Sequence, residues 1–155
     1  MEETLKKLLL EIKNIDSDNK LTEVQNENVL YLAYIGDTIF DLFTRDYLLH
    51  KYISKEKISE LHTKNSNLVC AKSQARIVEL LIDNNILTDD EKDFYRHARN
   101  AHSHSKSKNS SIIDYRKATG FEALIGLLFY KNEERLIKVL IEVKKIIEES
   151  LDNKH

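Results

Sequence analysis

At 155 residues, 41% hydrophobic and 32% charged, the chain has the size and composition of one domain, 1–155, with a full apolar core. No proline, three glycines and a preponderance of Leu, Ile, Lys and Glu indicate an all-α fold and exclude a turn-rich β architecture. The net charge of −2 excludes a uniformly basic nucleic-acid binder, and the single cysteine, Cys70, excludes an internal disulfide.

The N-terminus lacks the basic start and apolar core of a signal peptide, and no apolar run approaches the ~20 residues of a membrane span. A cytoplasmic protein with no membrane partner is expected. In chain order, Thr4 to Ile15 shows amphipathic spacing and, within residues 1–20, forms an N-terminal helical extension. Thr22 and Gln25 have capping-box spacing and open a long helix reaching about Tyr52. Ser54 is expected to cap a helix carrying Ile58 and Leu61, with a break at Asn65 to Asn67 and a further helix from Leu68 to Ile82. Cys70 is expected in the core. Thr88 and Glu91 open a helix to about Ala101, and residues 101–111 read as a polar loop. Asp114 begins a helix ending near Lys131, and Asn132 caps a last amphipathic one.

Two of these helices carry an anomaly. Leu30 to Phe43 is apolar nearly all round, as in a core helix, yet holds Gly36 and Asp37 at its centre. Thr119 to Tyr130 is similar, with Gly120, Glu122 and Gly126, and the two segments contain all three glycines of the chain. Helical glycine costs about 1 kcal/mol relative to alanine, and an unpaired buried carboxylate costs more. The pattern predicts two helix backbones crossing closely, with Asp37 and Glu122 meeting where they cross. A pair of carboxylates in one cleft suits a divalent cation. Taken singly, each acid also has a structural reading, Asp37 as the partner of a backbone or basic group and Glu122 as half of an ion pair; Asp41, four residues after Asp37, suits a surface ion pair or, on the same face, a further acid of the metal site.

A second pattern is electrostatic. No acidic residue occurs between Asp93 and Asp114, while Arg96, Arg99, Lys106 and Lys108 do, followed by Arg116 and Lys117. Such segregation suits contact with the phosphates of a nucleic-acid duplex; without aromatic residues in the loop it does not suit stacking on single-stranded bases. The neighbouring histidines have no zinc-ligand spacing, and there is no phosphate-binding loop or dinucleotide motif.

Ala33-Tyr34-Ile35-Gly36-Asp37 and Phe121-Glu122-Ala123-Leu124-Ile125-Gly126 resemble the two signature segments of the ribonuclease III catalytic domain, more closely those of its Mini-III branch, which has no separate double-stranded RNA-binding domain. Ala71-Lys72-Ser73-Gln74-Ala75, Arg99-Asn100-Ala101 and Tyr115-Arg116-Lys117-Ala118-Thr119 extend the resemblance, in order, from about Asn28 onward. The resemblance implies the all-helical ribonuclease III endonuclease fold, a homodimer, and Mg²⁺-dependent hydrolysis of double-stranded RNA, in this branch precursor 23S ribosomal RNA, leaving 5′-phosphate ends. It makes Asp37 and Glu122 the catalytic and metal-binding pair. Lys72, Arg96, Arg99, Lys106, Lys108 and Arg116 are the expected RNA contacts. Two carboxylates of the larger ribonuclease III pattern are replaced here, by Ala33 and Thr119. That departure leaves a rival reading, a non-catalytic double-stranded RNA-binding protein on the same fold.

Overall fold

The computed structural model describes residues 7, 10, 11, 26–101 and 111–153. The described residues are helical with short connections and contain no strand. The helices are α1 (Asn26–Tyr52), α2 (Ile58–Val69), α3 (Ala71–Asp83), α4 (Asp89–Arg99), α5 (Ile112–Lys131) and α6 (Glu133–Asp152). The Thr22–Gln25 capping box, most of the N-terminal extension and the 102–110 stretch lie outside the described residues.

Helix α5 is the axis of the assembly and packs against α1, α3, α4 and α6. Its sequence explains this position. Phe121, Ala123, Leu124, Ile125, Leu128 and Phe129 are buried on every side of the helix, so it requires neighbours all round. Phe40 of α1 meets Phe121 edge-on, with ring centroids 5.2 Å apart at 85°. Helix α6 closes the core with Leu136, Val139, Val143, Ile146 and Ile147, as its apolar spacing predicts. A partly buried ion pair between Glu91 of α4 and Arg135 of α6 ties their ends together, and Arg135 also donates to the Ile86 carbonyl.

The caps at Thr88 and Asn132 form as predicted, their side chains accepting from the Glu91 and Arg135 backbone N–H groups. Helix α5 begins slightly earlier than expected because Ser111 accepts from the Asp114 N–H at 3.0 Å.

Three local expectations are corrected. Ser54 does not cap α2; it stands in the left-handed region (φ 63°) in the turn after α1, and Lys57 is the cap, its N–H donating to Glu60 Oε2 at 3.2 Å. The helix does not break at Asn65 to Asn67 but runs on to Val69. Asn65 is buried and its amide is satisfied by α1 side chains, which removes the usual penalty of Asn inside a helix. The interruption falls instead at Cys70, whose ψ of 156° ends α2 and starts α3, and Cys70 is exposed rather than core.

Helix α1 also departs from its expected environment. One face is core, but Tyr31, Tyr34, Leu42 and Leu49 form an exposed apolar stripe, with Tyr34 81% exposed. No described helix is long and apolar enough to cross a membrane.

Candidate active site

Where α1 crosses α5 the two backbones touch. A Cβ added at Gly36 would lie well inside van der Waals contact with the Glu122 carbonyl and 3.1 Å from the Gly126 nitrogen. A Cβ at Gly126 would similarly run into the Leu32 carbonyl. Both glycines are therefore required by the crossing, in sites where neither helix can shift without unpacking the core. Gly120 serves a different contact. A Cβ there would come within 2.8 Å of the Tyr95 ring of α4, so it seats α4 rather than α1.

The close crossing brings Asp37, next to Gly36, into hydrogen-bonding contact with Glu122. Asp37 is open to solvent and Glu122 lies half-buried beside it. Burial, reinforced by the Asp37 charge, pushes the Glu122 carboxyl up to about 8. Asp37 is also raised, by burial first and then by the neighbouring charge of Asp41. The pair therefore shares a proton that Glu122 donates to Asp37, and no basic group is among the influences on either carboxyl. Two oxygen-donor groups converging with uncompensated charge fit a hard divalent cation. Mg²⁺ suits better than zinc, because it keeps several waters and needs only one or two carboxylates. Among the described residues there is no cluster of three or more His, Cys, Asp or Glu side chains that would favour another metal.

Among the described residues, no carboxylate takes the place of the two replaced ones. Ala33 is buried, and the Thr119 hydroxyl donates to the Tyr115 carbonyl of its own helix at 3.0 Å. Asp41 is engaged elsewhere. Its Oδ1 accepts from Asn65 Nδ2 at 2.7 Å and its Oδ2 from Arg45 Nε at 2.7 Å. Asn65 Oδ1 in turn accepts from the buried Thr44 hydroxyl at 2.6 Å.

Of the basic residues singled out in the sequence, Lys72 stands exposed in the first turn of α3 and Arg116 in the first turns of α5. Arg96 is exposed and paired with Asp93 at 3.0 Å. Arg99 is half-buried, its guanidinium 5.7 Å from the Tyr95 ring centroid. Lys117 forms an ion pair with Glu79, linking α5 to α3. Lys106 and Lys108 lie outside the described residues.

One residue at the site was not singled out. Gln74 of α3 is 1% exposed and lies beside Glu122, where its carboxamide acts to lower that carboxyl's pKa. A signal was present: with Ile77, Val78 and Leu81 it occupies i, i+3, i+4 and i+7 of the buried face, a polar side chain where the pattern demands an apolar one. Asn65 repeats the signal on α2, aligned with Leu61 and Leu68.

The helical fold and the carboxylate pair fit a hydrolase assisted by a divalent metal, and comparison with known proteins gives the class. The Ribonuclease III domain family matches residues 30–133. Among curated proteins, a Mini-ribonuclease 3 of Staphylococcus aureus is 42% identical over 123 residues, covering 79% of this chain and 90% of that protein. A Mini-ribonuclease 3 of Clostridium tetani is 38% identical over 135 residues, 84% of this chain and 85% of that protein. A Fusobacterium nucleatum protein of known crystal structure is 28% identical, with a TM-score of 0.65 over 79% of this chain and 92% of its own. The chain belongs to the ribonuclease III family, in its Mini-ribonuclease 3 branch, and is an endoribonuclease.

Proposed function

We propose that this endoribonuclease cleaves double-stranded RNA with Mg²⁺ held by Asp37 and Glu122, acts as a homodimer, and processes the ends of precursor 23S ribosomal RNA in the cytoplasm. The observation that carries the reading is the convergence of two carboxylates at a backbone-to-backbone helix crossing, with no cation acting on them. When bound, Mg²⁺ supplies charge neutralisation at the scissile phosphate and activation of water for its hydrolysis. The protein's part is to bind and orient. Asp37 and Glu122 present their oxygens from two helices locked by Gly36 and Gly126, so the site costs little reorganisation on binding. With only two carboxylates the metal gains modest charge compensation from the protein, so affinity without RNA is weak, roughly millimolar, and substrate phosphate supplies much of the holding.

Lys72, Arg96, Arg99 and Arg116 contact RNA phosphates, joined by Lys106 and Lys108, arginine as a fork and lysine as a point charge. The exposed stripe of Tyr31, Tyr34, Leu42 and Leu49 along α1 supports the homodimer, because it extends an apolar face that the other described residues do not cover. Asp37 lies beside that stripe, so two-fold pairing brings two sites to one duplex, one for each strand. The 23S precursor as substrate, and 5′-phosphate products, follow the branch to which the chain belongs.

The test is cleavage of duplex RNA in Mg²⁺. Asp37→Asn and Glu122→Gln, which remove charge with little change of shape, each abolish cutting and leave duplex binding intact. Cleavage near the wild-type rate by either variant would refute the metal-site assignment.

A further inference from the structure

Gln74 is placed with unusual care for a neutral side chain. Its Nε2 donates to the Val69 carbonyl at 2.7 Å, a carbonyl at the end of α2 that the interruption at Cys70 leaves without a helical donor. That contact fixes which end of the carboxamide is nitrogen. Nε2 carries a second proton, and the carboxamide lies beside Glu122, favouring the charged form of that carboxyl as a donor does. Its Oε1 is buried with no partner, an open acceptor of the kind native proteins rarely leave in a core. The α2–α3 break, the orphan carbonyl and the polar residue on an apolar helix face are thus parts of one arrangement that ends on Glu122.

We propose that Gln74 is a positioning residue of the carboxylate site, its carboxamide tethering Glu122 to the end of α2 so that Glu122 and Asp37 present their oxygens to the same divalent cation. The inference rests on the metal-site reading above and deepens it. A neutral donor is the appropriate choice for this task. A lysine or arginine at position 74 would orient Glu122 equally well but cancel the negative charge that attracts the metal. An apolar residue would preserve the packing and let Glu122 turn away from its neighbour. Partners that orient metal ligands from behind typically contribute 10- to 100-fold in metal affinity or activity. Gln74 also couples the site to a helix junction that carries no chemistry of its own, so a change at the Cys70 break is transmitted to Glu122 through one side chain.

The experiment uses Gln74→Met, which keeps length and flexibility but removes the carboxamide. Calorimetric titration of Mn²⁺ into the RNA-free protein is expected to show affinity reduced about 10-fold or more. In duplex cleavage, kcat falls within that 10- to 100-fold range, half-saturating Mg²⁺ rises, and KM for the duplex is unchanged. Unchanged Mn²⁺ affinity in a folded Gln74→Met protein overturns the inference, because a purely structural glutamine would alter thermal stability alone. If the variant does not fold, the wild-type side-chain amide of Gln74 is followed by NMR. Its proton resonances should broaden with Mn²⁺ and shift in Glu122→Gln, and an amide indifferent to both overturns the proposal. The two readings fail separately. Cleavage surviving Glu122→Gln removes the metal site itself, whereas loss of cleavage in Glu122→Gln beside normal Mn²⁺ binding in Gln74→Met removes only the role of Gln74.

Discussion

Asp37 and Asp41 stand one helical turn apart on α1, and their surroundings treat them in opposite ways. Asp41 has a donor on each oxygen, Arg45 on one side and Asn65 on the other, and Asn65 is itself completed by Thr44. Asp37 faces another acid, Glu122, and both carboxyls are raised by burial and like charge. The first cluster is a closed polar network that joins α1 to α2; the second is left electrostatically open. Counting acids does not separate the two. The presence of a basic partner does, since a folded chain has little reason to hold two carboxyls together with no basic group acting on them unless a metal cation completes them.

The comparison breaks most sharply under charge removal. Under the proposed metal site, Asp37→Asn or Glu122→Gln deletes half of the protein's contribution to it, worth several kcal/mol in the transition state, or about 10³-fold in rate. Asp41→Asn leaves the pair intact and is expected to lower duplex cleavage less than ~10-fold, by the same scale. Parallel single-turnover assays of the three variants decide this. Equal losses at Asp37 and Asp41 would erase the distinction drawn between them.

A smaller effect is expected when the closed network is opened. Thr44→Val is nearly isosteric but leaves the buried Asn65 Oδ1 without its donor, costing roughly 1–3 kcal/mol of stability. Urea unfolding measures the loss. Metal-dependent cleavage by the folded fraction should be unaffected. A fall in activity larger than the fall in folded protein would tie the network to the site.

The open pair has the reverse signature in stability. Glu122 titrates at about 8 in the folded protein and near 4.5 ordinarily, so between those values the folded chain holds a proton that the unfolded chain has released. Stability of the metal-free protein therefore falls as pH rises through that window. Glu122→Gln abolishes this contribution. In chelator at pH 8.5 it should be more stable than wild type by roughly 1–2 kcal/mol, allowing for partial solvent access, and about equal at pH 4.5. Thermal melts at the two pH values provide the readout, and a variant less stable than wild type at pH 8.5 would show that Glu122 is a structural acid after all.

These two regions were unequally legible in the sequence. The glycine pairing was readable because a helical glycine beside a carboxylate is costly on both counts, and Gly36 and Gly126 do mark the backbone crossing. The all-round apolar character of α5 likewise announced a central helix. Helix α1 misled on one face, because a helix that presents an apolar stripe outward has the same composition as a buried one. The α2–α3 junction was misplaced for a reason of distance. Asn65 reads locally as a helix breaker, but its partners Asp41 and Thr44 lie 24 and 21 residues earlier and are invisible to any local rule. Gln74 was passed over although it interrupts an apolar face, because its significance depends on Glu122, which lies on another helix.

The most direct test of the central claim is to locate the metal. Crystals of the RNA-free protein soaked in Mn²⁺ well above the millimolar range should give an anomalous peak bridged by Asp37 and Glu122 carboxylate oxygens, with Asp41 still bound to Asn65 and Arg45. A peak ligated by Asp41, or a saturated soak in which Asp37 and Glu122 still share their proton without metal, would contradict it.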